Sequence, residues 1–177
     1  MTTCSRFLSI DPGLHTGWAL WESQMPDTGA SDAIIWPKPI DCGTLWPARE
    51  KGRICSWYER TTSLWSHAFR CFDSMVGMRL NLAAIEAPAF YDDKVVIAQS
   101  GNLLKLALLT GGLCYILEEQ LGVPVQMINV RDWKGQLPKA AVETRLRALY
   151  KPWWPSGSTS HLVDAIGIGL YIQGHRL

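Results

Sequence analysis

The feature that most constrains this chain is a pair of short, largely apolar segments that each end in a carboxylate with a proline close behind. Residues 6–11 read Arg-Phe-Leu-Ser-Ile-Asp and precede Pro12-Gly13, and residues 82–86 read Leu-Ala-Ala-Ile-Glu and precede Pro88. Both segments predict β-strands, and the continuously apolar second one predicts a strand buried on both faces. Because proline lacks the N–H that a ladder needs, each strand is expected to end near its acid.

The rest of the pattern predicts an α/β domain. The turn at Pro12-Gly13 is typical of a hairpin that leads into a second strand over 16–22, and residues 41–46 predict a third. Apolar residues recur at intervals of three and four between 49 and 78, which predicts a long amphipathic helix. The chain then predicts a helix over 94–121, a strand over 124–130, a helix from 138 to about 150 and a helix from Ser160, as its N-cap, to 173. This order predicts a five-stranded mixed sheet flanked by α-helices, and 177 residues suit one domain over 1–177.

Composition and charge exclude several classes of protein. Hydrophobic residues make up 47% and charged residues 19%, which argues against disorder, and the net charge of +1 excludes a histone-like protein. The charge is unevenly spread, because residues 49–79 and 131–151 carry six bases each against three and two acids. No apolar run is long enough for a membrane span, and no secretion leader is expected. The five cysteines include no CxxC pair, which favours reduced thiols in a cytoplasmic protein.

Three carboxylates stand where desolvation would be costly. Asp11 and Glu86 end the two apolar strands, and Asp164 lies among apolar residues of the last helix. If the two strands are parallel neighbours, both acids emerge at the carboxyl edge of the sheet, where open α/β sheets place their sites. His161 lies three residues before Asp164 and shares its helix face. Three carboxylates and one imidazole suit Mg²⁺ or Mn²⁺ better than Zn²⁺.

The same residues lie in three stretches that resemble the motifs of RuvC-type Holliday junction resolvases, which are RNase H-like nucleases. Leu8-Ser-Ile-Asp-Pro-Gly-Leu-His-Thr-Gly-Trp-Ala resembles the first motif, Ala84-Ile-Glu-Ala-Pro-Ala-Phe the second, and Ser160-His-Leu-Val-Asp-Ala-Ile-Gly the closing His/Asp-x-x-Asp helix. The stretch from Ser100 to Gly112 is similar to the central helix of the family. The Trp-rich stretch 21–46 and the segment 133–139 differ from the usual bacterial pattern, which indicates a divergent, phage-type member.

The resemblance implies an RNase H-like fold and a homodimer formed through helix 94–121. It implies a crossover junction endodeoxyribonuclease that resolves four-way DNA junctions by paired symmetric nicks, leaving a 5′-phosphate and a 3′-hydroxyl. It also implies two Mg²⁺ ions per active site, with Mn²⁺ as a substitute, held by Asp11, Glu86, His161 and Asp164. In a two-metal mechanism Asp11 would bridge both ions, Glu86 would hold one, and His161 and Asp164 would complete the other.

Basic and aromatic residues around these motifs are candidates for contacts with DNA. Lys134 and Lys139 flank a Gly-Gln-Leu-Pro turn, and either one reaches the scissile phosphate or both belong to a solvated loop. The predicted phosphate track consists of Arg131, Arg145, Arg147 and Lys151. Phe90 and Tyr91 follow Glu86 closely and either stack against unpaired bases or cover the core.

Three other functions remain open from the sequence. The fold and the basic segments also suit a broader branch or flap nuclease or an RNase H-like enzyme. The stretch Asp11-Pro-Gly-Leu-His-Thr-Gly resembles the first phosphate loop of actin-like kinases and ATPases, which predicts ATP binding, but no second phosphate loop is visible and 177 residues cannot hold two such domains. A non-catalytic DNA-binding module is the third alternative, and an intact ligand set argues against it.

Overall fold

A computed structural model describes residues 5–22, 37–48, 55–88 and 101–176. The strands are β1 (Arg6–Asp11), β2 (Thr16–Glu22), β3 (Asp41–Leu45), β4 (Leu80–Glu86) and β5 (Val125–Ile128). The helices are α1 (Trp57–Val76), α2 (Asn102–Tyr115), α3 (Val130–Lys134), α4 (Lys139–Leu149) and α5 (Ser160–Ile172). Helix α2 continues through a π-helical turn, Ile116–Gln120. No helix in the described ranges combines the length and the apolar character that crossing a bilayer requires.

The five strands form one mixed sheet in the order β3-β2-β1-β4-β5. The β1–β2 and β2–β3 pairs are antiparallel, whereas β1–β4 and β4–β5 are parallel. The parallel neighbours β1 and β4 bring Ile10 opposite Ile85, so the strands end together. The predicted mixed five-stranded sheet is therefore confirmed, and the condition under which Asp11 and Glu86 share one edge, parallel pairing of β1 with β4, is met.

Helices cover both faces of the sheet, and residue alternation along the strands divides the core between them. Leu8 and Ile10 of β1 pack in the layer that includes residues of α1 and α2. Phe7 and the α5 residues Ile166 and Ile168 belong to the opposite layer. Because successive side chains of a strand point to opposite faces, Asp11 shares the α5 side with Phe7, and Glu86 shares it with Ala84. Both acids thus end their strands on the face that α5 covers.

Several helix and strand boundaries differ from the predicted ones, and so does the N-cap of α5. Ser56 caps α1 in a reciprocal capping box with Glu59, so α1 begins at Trp57, and the predicted helical stretch 49–54 lies outside the described residues. The predicted N-cap Ser160 is wrong, because Thr159 caps α5 by accepting a hydrogen bond from the Leu162 N–H. The predicted strand 124–130 ends at Ile128, and α3 begins at Val130. Residues 94–100 of the predicted helix 94–121 lie outside the described residues.

Candidate active site

The candidate site lies where β1 and β4 end, under the first turns of α5. Asp11 and Asp164 are almost fully buried, with exposed fractions of 5% and 4%, and Glu86 is partly buried. His161 and Asp164 are three residues apart on α5, so their side chains lie on one side of the helix. The structure thus brings together four candidate residues that are separated by up to 153 positions in the sequence.

Close backbone packing fixes α5 on the sheet. A Cβ added to Gly17 in β2 would lie 2.1 Å from the carbonyl oxygen of His161, so only a residue without a side chain fits there. One turn further along α5, the Ser9 hydroxyl of β1 donates a hydrogen bond of 2.7 Å to the Ala165 carbonyl. The Trp21 indole N–H in turn donates to the Ser9 hydroxyl oxygen at 2.8 Å. These contacts determine how far His161 and Asp164 stand from the strand ends.

Asp11 and His161 form the shortest polar contact of the site. The Nδ1 atom of His161 lies 2.7 Å from Oδ2 of Asp11. This hydrogen bond raises the pKa of His161, although partial burial of the ring opposes the effect. Burial raises the pKa of Asp11 above its ordinary value, while the contact with His161 lowers it. The pair therefore favours a shared proton between the carboxylate and the imidazole.

Glu86 is oriented by a tryptophan that the sequence did not indicate. The Trp133 indole N–H donates to Oε2 of Glu86 at 2.9 Å, and Trp133 itself is 3% exposed. Desolvation, with a smaller contribution from the Asp11 charge, raises the pKa of Glu86 to about 7, whereas the Trp133 hydrogen bond and the Lys134 charge lower it. Glu86 thus combines a fixed orientation with an environment that disfavours its negative charge.

Asp164 is the most deeply enclosed of the candidate ligands, and one of its oxygens has no partner. Its Oδ2 atom forms an ion pair of 3.1 Å with Nζ of Lys139, the first residue of α4. Its Oδ1 atom is buried and accepts no hydrogen bond from any residue that the structure describes. A buried carboxylate oxygen without a donor is costly, so this atom marks a place where a cation or a donor would be stabilising.

The donor set matches a hard divalent cation in chemistry. Carboxylate oxygens and one imidazole are ligands that Mg²⁺ and Mn²⁺ accept, and among the described residues Oδ1 of Asp164 has no hydrogen-bond donor. In the present side-chain positions, however, no three His, Cys, Asp or Glu side chains of the described ranges are close enough to hold a metal ion. His161, Lys139 and Trp133 each contact one carboxylate oxygen of the site: His161 contacts Asp11, Lys139 contacts Asp164, and Trp133 contacts Glu86.

The candidate DNA-contacting residues are divided between two places. Arg131 and Lys134 lie on α3, beside Glu86, and Lys139 reaches the site itself. Arg147 lies further along α4, where it pairs with Glu143 at 2.8 Å and stacks over the Trp154 ring. Arg145 and Lys151 are exposed on and just after the same helix.

Phe90 and Tyr91 lie outside the described residues. Their predicted stacking on unpaired bases stays a prediction.

Comparison with known proteins identifies the fold. No protein-family model and no curated protein matches the sequence. The Thermus thermophilus RuvC structure superposes with a TM-score of 0.62 at 18% identity, covering 93% of this chain and 91% of that chain. T. thermophilus RuvC in complex with a Holliday junction substrate superposes with a TM-score of 0.61 at 19% identity, covering 93% and 90%. The chain thus has the RNase H-like fold of these RuvC structures, as the motifs implied.

Proposed function

We propose that this protein is a metal-dependent endodeoxyribonuclease that resolves four-way DNA junctions by paired symmetric nicks. The observation that carries the proposal is the cluster of Asp11, Glu86, His161 and Asp164 at one edge of an RNase H-like sheet, with a buried Asp164 oxygen that has no partner. The likeness to a RuvC solved with a Holliday junction substrate supports the choice of substrate. The expected products are a 5′-phosphate and a 3′-hydroxyl.

The four residues would hold Mg²⁺, with Mn²⁺ as a substitute, and two ions per site are proposed. When bound, such ions supply an activated water and offset the charge that develops on the leaving oxygen. Trp133 keeps one Glu86 oxygen in a fixed direction through its indole N–H. The His161 ring holds a proton against Oδ2 of Asp11, which keeps that carboxylate in place beneath α5.

Lysines at the site would attract the phosphate. Lys139 neutralises Asp164 in the structure, and its side chain is 48% exposed, so it is accessible from solvent. Lys134 lies near enough to Glu86 to lower its pKa. Either ammonium group would act on a phosphate as a point charge. The track formed by Arg131, Arg145, Arg147 and Lys151 would position DNA without reading its sequence.

A homodimer is the proposed assembly, because a four-way junction is roughly two-fold symmetric and needs two sites. The outer face of α2 exposes Leu104, Leu108 and Tyr115, with exposed fractions of 66%, 52% and 58%. The spacing of four and seven residues places them on one stripe of the helix. An exposed apolar stripe of this kind favours a contact with a second copy. Gly112 of α2 does not belong to this exposed stripe, since it packs against Trp65 of α1 within the same chain.

The test is cleavage of a panel of synthetic substrates in Mg²⁺, in Mn²⁺ and in chelator. The panel contains a four-way junction, a flap, a matched duplex and an RNA–DNA hybrid. Two symmetric nicks in the junction that require the metal support the proposal, whereas equal cutting of the flap or the hybrid would replace it with a broader nuclease. The Asp11→Asn variant should lose cleavage and keep junction binding, because a ligand is lost while the basic surface is intact. Undiminished cleavage by that variant would exclude the metal site.

A further inference from the structure

A solvent-open cleft lies beside the candidate site, on the far side of Trp133. It has a volume of about 520 Å³ and is lined by residues 131–137, Tyr171 and Arg176. The lining comes from two separate parts of the chain, because residues 131–137 include α3 and the turn that follows it, whereas Arg176 follows the end of α5. The sequence pattern indicated DNA contacts for Arg131 and Lys134, but none for Arg176, and it did not indicate a cleft between these segments.

The cleft has a net positive charge, because three cationic side chains and one carboxylate line it. Arg131, Lys134 and Arg176 line it, and among the described residues none of the three forms an ion pair. Asp132 also belongs to the lining, but its Oδ2 atom accepts a hydrogen bond of 3.2 Å from the Asn129 side-chain amide. A concave surface with this excess of cations attracts a polyanion and concentrates it locally.

The cleft and the candidate catalytic centre share one side chain as their wall. The Trp133 indole donates to Glu86 at 2.9 Å on one side. The Lys134 ammonium lies 5.0 Å from the centre of the same ring, within range of a cation–π contact. Trp133 is buried and its ring packs against Gly167 of α5, where an added Cβ would lie 2.4 Å from the ring. A group bound in the cleft is therefore held at a fixed distance from Glu86.

We infer that this cleft binds the sugar–phosphate backbone of the DNA strand next to the scissile phosphate, with Arg176 as a phosphate-contacting residue. Arg131, Lys134 and Arg176 would each contact a phosphate oxygen, and the Gln136 amide and the Tyr171 hydroxyl add donors along the lining. A continuous backbone suits the cleft better than a small ligand does, because the cleft is open-sided and its cations come from two segments. The choice of DNA rests on the proposed function.

The test is junction binding by Arg176→Gln, measured by fluorescence anisotropy in an Asp11→Asn background with chelator present. Binding is then measured without cleavage, so a failure of the nuclease proposal is seen separately in the cleavage panel. Each phosphate contact changes the slope of log K against log salt by about 0.9, which corresponds to about eightfold in affinity at 0.1 M salt. We expect Arg176→Gln to lose about that factor on both junction and duplex, with a slope smaller by about 0.9.

The matched control is Arg70→Gln, which removes an exposed arginine from α1 on the other face of the sheet. Its affinity and slope should equal those of the parent. The inference would be overturned if Arg176→Gln and Arg70→Gln both had the affinity and the salt slope of the parent protein. A loss of the same size in both variants would also overturn it, because net charge alone would then explain the effect.

A second arm separates the DNA backbone from a free anion. Sodium phosphate and sodium chloride at equal Na⁺ concentration should displace the junction equally if the cleft holds backbone. Stronger displacement by phosphate that disappears in Arg176→Gln would identify a small-anion site instead and would overturn the assignment. In the otherwise wild-type enzyme, Arg176→Gln should raise KM about eightfold and leave kcat unchanged, since Arg176 contributes to binding alone.

Discussion

Replacing Gly17 with alanine should disconnect the two halves of the candidate site without replacing any proposed ligand. The added Cβ would lie 2.1 Å from the carbonyl oxygen of His161 and 2.4 Å from the backbone nitrogen of Leu162. Both are backbone atoms of the first turn of α5, so no side-chain rotation can relieve the clash. The helix and β2 must therefore move apart.

The size of the movement follows from the contact distances. An ordinary contact begins at 3.4 Å, so opening from 2.1 Å requires a shift of about 1.3 Å. Directed along the 2.7 Å contact between His161 and Asp11, that shift would break the hydrogen bond. We expect the variant to lose about 1–3 kcal/mol of stability, as overpacked cores do, and about 3–9 °C in Tm. Displacement of catalytic groups by about 1 Å should lower the cleavage rate by about 100-fold.

The assays are thermal unfolding, metal-dependent junction cleavage and NMR titration of the histidine rings. In Gly17→Ala the pKa of His161 should fall toward its ordinary value, because the Asp11 hydrogen bond that raises it is lost. The matched control is Gly77→Ala, since Gly77 has αR backbone angles and an added Cβ there would meet nothing within 4 Å. A Gly17→Ala variant with an unchanged His161 titration and wild-type cleavage would refute the reasoning.

Three further changes test other parts of the site and the proposed assembly. Trp133→Phe removes the N–H donor of Glu86 and should weaken activation by Mg²⁺ about 10–100-fold in a metal titration, whereas Trp65→Phe, which removes a donor to the Leu109 carbonyl, should not. In chelator and below its ordinary pKa, the Glu86 carboxyl is protonated in both the folded and the unfolded protein. Between its ordinary pKa and about pH 7, the unfolded chain has lost this proton while the folded protein still holds it, so the free energy of unfolding falls as pH rises. Glu86→Gln should abolish that fall, and urea unfolding at pH 8 should show the variant to be more stable than the wild-type protein by at most about 3 kcal/mol. Equal dependence of the unfolding free energy on pH in the two proteins would contradict this. Leu108→Glu should convert a dimer to a monomer in analytical ultracentrifugation, and a wild-type mass for this variant would argue against an interface on α2.

The sheet and its acidic edge were predictable because their signals are local. The runs before Asp11 and Glu86 are apolar, strand-length and stopped by proline, and the parallel pairing of β1 with β4 confirms the inference that they end side by side. Because successive side chains of a strand alternate between the two faces of the sheet, the position of each acid in its strand then decides which face of the sheet it lies on. The helix pair His161 and Asp164 was equally visible, since a spacing of three residues is a property of the helix itself.

The parts of the site that escaped prediction depend on contacts between distant segments. Trp133 orients Glu86 across 47 residues, and a single tryptophan in a short helix of five residues has no periodic pattern to reveal it. Lys139 was one of two lysines considered for contact with the scissile phosphate, and its ion pair with Asp164, a contact between α4 and α5, was not predicted. The N-cap of α5 was misjudged by one residue because Ser160, the better cap by residue type, directly follows Thr159, which caps the helix in the structure.

The reach of the Asp11–His161 contact, 150 positions, has a consequence for biosynthesis. A ribosome-bound chain that has emerged as far as β5 already displays Asp11 and Glu86 but still lacks His161 and Asp164. The centre can be complete only after α5 has been made and docks onto β2 and β1. Under the proposed function, a copy that has been made only as far as β5 would therefore lack two ligands and could not cut DNA.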